Sequence, residues 1–283
     1  TISNGQNRTM YAPGTTTPTT VVFNQNNRVK DDAAINANAG TINFTHTHAT
    51  DIAAASYSET LGTLNLLGGR SQVSTSQAAT GATSKLTFAG LTRSAGSTIN
   101  FSGADIGANN RNEVGFTAAP ALPNGIIGGW ATVSTINPTD NTSQHDFATY
   151  SGSSVVKFSG YTVTVSGTSV NQANWTLANN YNLRINGLSG TSNQHTINVS
   201  SGSSASTNVP KVLNTLKFDD STAKTINLRT TLARTLILES GGLISRGANH
   251  VIGASATAGQ GLLSAGPGSN YELLPWVENG RTL

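Results

Sequence analysis

Apolar residues along this chain recur in short cassettes of the form Thr-apolar-x-apolar, with Asn, Thr, Lys or Ile in the third place. They stand at Thr41-Ile42-Asn43-Phe44, Thr63-Leu64-Asn65-Leu66, Thr98-Ile99-Asn100-Phe101 and Thr162-Val163-Thr164-Val165. They return at Thr196-Ile197-Asn198-Val199, Thr215-Leu216-Lys217-Phe218, Thr225-Ile226-Asn227-Leu228 and Thr235-Leu236-Ile237-Leu238. A period of two places the apolar residues on one face of a β-strand and the polar residues on the other. Gly or Asn follows most cassettes, as turns require.

The spacing between cassettes bears on architecture. The step from Thr41 to Thr63 is 22, and the step from Thr63 to Lys85, which opens the related Lys85-Leu86-Thr87-Phe88, is again 22. Thr196 to Thr215 is 19, and the next two steps are 10 each. Such steps predict an all-β chain folded as a parallel β-helix, or β-solenoid, with coils of about 22 residues. A β-sandwich, with strands every 8–12 residues, is the alternative. Recurrence of near-identical cassettes favours the solenoid. So does Asn at the third positions Asn43, Asn65, Asn100, Asn198 and Asn227, since stacked coils align such residues in ladders. One shared core is expected to bury Ile42, Phe44, Leu64, Leu66, Ile99 and Phe101.

Three segments depart from the pattern. Residues 1–22 form a Thr/Pro-rich arm, followed by solenoid repeats over 23–253. Within these, residues 102–160 hold Pro120, Pro123 and Pro138 and read as an irregular excursion. Residues 254–283 read as a C-terminal cap or linker.

Composition narrows the class. Charged residues make up 10 % of the 283, against about 25 % in an ordinary soluble domain. With 36 % hydrophobic residues and 30 Gly, a packed core is still possible. The net charge is +3 and the isoelectric point near 9.3. Among so few charges a small excess moves the isoelectric point far, and no cluster of cations interleaved with aromatics marks a nucleic-acid face. No Cys is present, which excludes disulfides, Cys-ligated zinc and a thiol nucleophile. No run approaches the roughly 20 apolar residues of a membrane-spanning helix. The chain opens at Thr1 without the pattern of a signal peptide, so it reads as a mature form or a window of something larger.

The middle of the chain carries more specific blocks. These are residues 86–101, Leu-Thr-Phe-Ala-Gly-Leu-Thr-Arg-Ser-Ala-Gly-Ser-Thr-Ile-Asn-Phe, and Glu113-Val114-Gly115-Phe116-Thr117-Ala118-Ala119-Pro120. Asn124-Gly125-Ile126-Ile127-Gly128-Gly129-Trp130-Ala131-Thr132-Val133 and Asp146-Phe147-Ala148-Thr149-Tyr150 follow. With Asn27-Arg28-Val29-Lys30-Asp31-Asp32-Ala33-Ala34-Ile35 upstream, this stretch resembles bacterial surface proteins with autotransporter-associated β-strand repeats. The resemblance covers roughly residues 20–165 and is loose elsewhere. It implies a secreted or surface-exposed right-handed β-helix, and no catalytic residue to carry over. In that family the Trp130 block joins the Phe147 block by a short turn, whereas here residues 134–145 intervene. No membrane barrel follows within the sequence.

Candidate chemistry is sparse. Asp219 and Asp220 fall on opposite faces if their strand continues, so they read as a turn rather than a glycosidase pair. Asp31 and Asp32 read the same way. His46 and His48 share a strand face, but a metal needs a third ligand and the nearest carboxylate is Asp51. They read as a solvated edge. His145, His195 and His250 each stand alone in polar stretches. The chain is rich in Ser but has no Gly-x-Ser-x-Gly elbow. Ser200-Ser201-Gly202-Ser203-Ser204 lacks the Lys of a phosphate loop. Trp130 is expected to be buried; Trp175 and Trp276 are the other two indoles. Asn-x-Ser/Thr sequons begin at Asn7, Asn43, Asn100, Asn141, Asn174 and Asn198, as chance produces in such a composition. Thr15, Thr16, Thr17 and Thr19 are better candidates for O-linked sugar.

The sequence therefore predicts an extracellular or cell-surface structural or adhesive protein, a self-assembling fibre or surface-layer subunit, and not an enzyme. Its expected partners are copies of itself and surface carbohydrate, with no cofactor and no nucleic acid. The alternatives are a carbohydrate-binding module and a polysaccharide-degrading β-helix enzyme. Thr19, Thr20, Val21, Val22 and Phe23 form the candidate assembly strand, since high β-propensity suits addition to a neighbour's sheet edge.

Overall fold

In a computed structural model, the structure describes residues 2–4, 7–11, 18–22, 28–46, 56–76, 83–107, 111–136, 143–161, 163–165, 181–186, 196–198, 210–228, 234–253, 261–266 and 272–283. Among them are 22 strands and one short 3-10 turn at Pro123–Gly125, with no α-helix. The chain divides into two compact units, Thr1–Leu122 with Ala131–Phe158, and Pro123–Trp130 with Ser159–Leu283.

The first unit is a three-sided parallel solenoid. Its long strands Ile35–His46 and Leu64–Ser76 each run along two sides and bend between them. The next coil splits the same path into Leu91–Arg93 and Ser97–Ser102. The third side is built from Ser56–Leu61, Thr83–Phe88 and Asn112–Phe116, stacked in parallel. Leu64 aligns with Leu91, a step of 27 along the chain, and Val73 with Phe101, a step of 28. The bend recurs because Ala39 and Gly69 both adopt positive φ, 55° and 62°. At Gly69 a Cβ would also press on the Ala39 methyl, so stacking as well as backbone angle selects glycine there. Inward positions bury Phe44, Leu64, Leu66, Ile99 and Phe101, as the cassettes predict, while Ile42 is only half-buried. Phe116 packs between Phe88 (5.9 Å, stacked) and Phe101 (6.2 Å, edge-on).

A hairpin closes this unit. Ser143–Ser151 pairs antiparallel with Ala131–Ile136, and Ser154–Lys157 folds back on it. The Tyr150 hydroxyl accepts from the Phe116 backbone N–H at 3.0 Å and donates to the Phe116 carbonyl at 2.9 Å. It thereby covers backbone groups that a further coil would otherwise pair.

The second unit repeats the three-sided plan. One sheet holds Val163–Val165, Asn182–Ile185, Lys211–Asp219, Arg234–Arg246, and then both Gly261–Ala265 and Leu274–Val277. The other holds Thr196–Asn198, Thr225–Asn227 and Val251–Gly253. Arg234–Arg246 turns its corner at Gly241, φ 71°. The core includes Leu183, Ile185, Leu216, Phe218, Ile226 and Leu243. Asn182 Oδ1 accepts from Asn214 Nδ2 at 2.8 Å and Thr215 Oγ1 at 2.7 Å, which satisfies a buried polar rung.

Several expectations change. The parallel pairing excludes the sandwich. Where the stack is regular the coil repeats at a step of 27 or 28, not 22, because successive cassettes lie on different sides of one coil. Thr41, Thr63 and Lys85 sit two sides apart each time. Asn ladders exist, but with other partners: Asn65 donates to Asn36 Oδ1 (2.9 Å) and accepts from Thr92 (2.6 Å). Of the cassette Asn pairs, Asn198 and Asn227 are aligned in register. Within residues 102–160, Asn112–Phe116 and Ala131–Ser134 are parallel rungs, and among the described strands there Ser143–Ser151 and Ser154–Lys157 pair antiparallel. Residues beyond 253 continue the sheet through Gly261–Ala265 and Leu274–Val277. Within residues 1–22, Ile2–Asn4 pairs in parallel with residues 44–46, and Pro18–Val22 pairs antiparallel with Asn7–Tyr11.

Candidate functional site

Charge is distributed unequally between the units. The first carries eight basic and eight acidic side chains, the second eight and five, so the whole excess belongs to the second. All five acids of that unit lie among the described residues. Three of its cations converge on one of them.

The convergence follows from strand alternation. In Asn182–Ile185, Leu183 and Ile185 point inward and Arg184 outward; in Lys211–Asp219, Leu216 and Phe218 point inward and Lys217 and Asp219 outward. Parallel register sets Arg184 beside Lys217 and Asp219 beside Arg246 on successive coils. Adjacent rungs are about 4.8 Å apart, within reach of these side chains. Arg184 donates through Nε and Nη2 to Asp219 Oδ2 at 3.0 and 2.6 Å. Lys217 Nζ lies 3.3 Å from the same oxygen, and Arg246 Nη1 3.4 Å from Oδ1. The Tyr161 ring lies 5.9 Å from the Arg184 guanidinium and 5.7 Å from Lys217 Nζ, as cation–π contacts require. Burial pushes the Asp219 carboxyl up, but Lys217, Arg246 and Arg184 together outweigh it and hold the group below the usual carboxylate range.

Asp220 faces away into a separate network. Its Oδ1 accepts from Thr222 N–H at 2.8 Å, forming the expected turn, and Lys224 Nζ lies 3.6 Å from Oδ2. The Lys224 backbone N–H donates to His250 Nδ1 at 3.1 Å. That fixes the proton on Nε2, which donates to the Arg246 carbonyl at 2.9 Å. The ring stacks on Phe218 at 4.6 Å. Burial depresses the His250 pKa, in keeping with a neutral ring that accepts at Nδ1. The two aspartates are therefore partners of different cations, not of each other.

In the first unit His145 Nδ1 meets Ser134 Oγ at 2.5 Å across the antiparallel pair, and Ser134 donates to Asn100 Oδ1 at 3.1 Å. Thr132 Oγ1 reaches the same Asn100 oxygen at 3.1 Å. Asp146 follows His145 on the alternate side of the strand, so it does not complete a serine–histidine–carboxylate relay through this contact. The sequon residue Asn100 is committed to that network and buried. Glu59 is buried and accepts from the backbone N–H groups of Arg28 (3.0 Å) and Val29 (2.9 Å), tying the chain entry to the third side.

Other sequence candidates are placed as follows. Thr19, Thr20, Val21 and Val22 lie in the strand already paired with Asn7–Tyr11; Thr15, Thr16, Thr17 and Phe23 lie outside the described residues. His48, Asp51, His195, Trp175, Asn141 and Asn174 also lie outside them. No group of three or more potential metal ligands occurs among the described residues. Trp130 is half-buried, not fully covered, and packs against Gly128; Trp276 is half-buried as well. Sequence reasoning passed over Arg184, Lys217 and Arg246. Its available signal was the third cassette position, where Arg184 and Lys217 replace the usual Asn or Thr.

Comparison with protein-family models, curated proteins and solved structures finds no match to this chain. No described helix is long and apolar enough to cross a membrane.

Proposed function

We propose that this chain is an extracellular or cell-surface structural or adhesive protein that associates with further copies of itself through the end of a coil stack. One observation carries this reading. In the second unit, Val251–Gly253, Gly261–Ala265 and Leu274–Val277 are each the last strand of their sheet among the described residues. Val251 and Leu262 on these strands are 51 % and 57 % exposed. Terminal strands with apolar side chains are templates for another β-edge, and proteins that avoid such pairing place charges there. The first unit, by contrast, ends in the Ser143–Lys157 hairpin with Tyr150 on the Phe116 backbone. The likeness of residues 20–165 to autotransporter-associated repeats supports a surface location. The low charge content suits a packed array more than a dispersed solute.

The test is sedimentation velocity and electron microscopy of the full chain against the double variant V251K/L262K. Both side chains are exposed, so the substitutions leave the fold intact, which circular dichroism checks. The wild type is expected to form concentration-dependent oligomers and the variant to remain monomeric. Association that is unchanged in the variant, or a wild type that is monomeric throughout, defeats the proposal. Removing residues 1–23 examines the other joint: a folded monomer from that truncation, with V251K/L262K still associating, assigns assembly to Thr19, Thr20, Val21, Val22 and Phe23 instead.

A further inference from the structure

We infer that the second unit binds an anionic polysaccharide, carboxylated or sulfated, at the outward cluster of Arg184, Arg246, Asp219 and Tyr161. Three cations surround a single carboxylate, while Asp220 is turned to Lys224, and Glu278 to Arg281 and the Gly247 N–H. The cluster is therefore net positive. Lys217 is 1 % exposed, so part of that charge is held out of water, where a counter-charge is most strongly attracted.

The donor and acceptor pattern selects the ligand class. Arg184 directs two N–H groups to Asp219 and remains 32 % exposed; a guanidinium has further donors, in a planar fork that matches carboxylate or sulfate oxygens. Asp219 Oδ1 has Arg246 near it, at 3.4 Å, and can also accept from a hydroxyl. A ligand presenting anions alone meets repulsion from this carboxylate. A ligand presenting anions and hydroxyls satisfies both sides of the site, and an acidic sugar is such a ligand. The cations also come from three successive coils, so they run along the stack and not around it. An extended polymer laid along the coils meets them in turn. The inference does not rest on self-assembly, since a monomer carries the whole cluster.

The experiment is isothermal titration calorimetry of the full chain at low salt with four probes: polygalacturonate, dextran sulfate, unmodified dextran and duplex DNA. Polygalacturonate, dextran sulfate or both are expected to bind, which separates carboxylate from sulfate, and dextran is not. R184Q is expected to weaken binding by roughly tenfold, the loss of one charge-assisted contact. K30Q, which removes an equally positive but solvent-exposed side chain from the first unit, is expected to change nothing. Should R184Q not fold, R246Q gives the same reading. Absence of binding to both acidic polysaccharides overturns the inference. So does equal weakening by K30Q, or DNA binding as tight as that of the polysaccharides. Sedimentation of the same samples keeps this outcome separate from that of assembly.

Discussion

His250 shows how a single buried side chain couples this fold to pH. Its Nδ1 accepts from the Lys224 N–H and its ring lies flat on Phe218, so the folded state holds the neutral form. Its pKa is lowered on folding, and the unfolded chain therefore binds a proton first. The associated stability is fully present above the ordinary histidine range, near pH 6.5, and is lost as pH falls through the folded value, by up to about 1.4 kcal/mol per pH unit. Asp219, also lowered, contributes stability that is lost only at more acidic pH. Urea midpoints measured between pH 8 and pH 5, values chosen to bracket that range, should fall for the wild type and stay flatter for H250N. An equal slope in the two proteins would mean that another group titrates. At this scale alternation was readable: Leu216 and Phe218 had to face inward. It did not reveal that outward Lys217 and the turn residue Lys224 would be covered, because burial of a polar position depends on residues from other coils. Isolated histidines gave no sign of their partners for the same reason.

The strands owe their path to corners as much as to cassettes. Gly241 divides Arg234–Arg246 into two sides, adopts φ 71°, and would drive a Cβ into the Glu272 carbonyl of the next coil. G241A should cost more than the about 1–2 kcal/mol of a left-handed residue, since the contact adds to the backbone term. Gly152 is the control, with φ 61° and open space around it, so G152A should lose only the backbone share. Chemical melts of the two variants decide this, and equal losses would remove the role assigned to the coil contact. Corners also explain what the sequence obscured. The regular step of 22 reports two sides of a three-sided coil, and nothing in a cassette states which side it occupies. The hairpin Ser143–Lys157 was hidden within a segment whose prolines and polar run looked irregular as a whole. Register to Ala131–Ile136, set by contacts such as Ser134 with His145, is a property of the folded pair.

Across the whole molecule, the class of fold was legible and its partition was not. Cassette recurrence pointed to stacked parallel strands, and the two units share the three-sided plan. The chain passes between them at 122/123, 130/131 and 158/159, and no compositional break marks these points. The unequal charge of the units could be counted only once that partition was known, and it acquired meaning when register gathered Arg184, Lys217 and Arg246. The coil length of the first unit has a mechanical consequence. Hydrogen bonds between rungs run along the stack, so a load applied in that direction strains one interface at a time. Each coil that peels away, Leu64 to Leu91 for example, releases roughly 90 Å of slack chain. The sequence contains no Cys, so cysteines introduced at Lys30 and Gly152, both exposed, provide unique handles. Force–extension traces between them should show a sawtooth with that spacing, and a single rupture would deny it. With that sawtooth, a sudden pull on the chain is met by released length, one coil at a time.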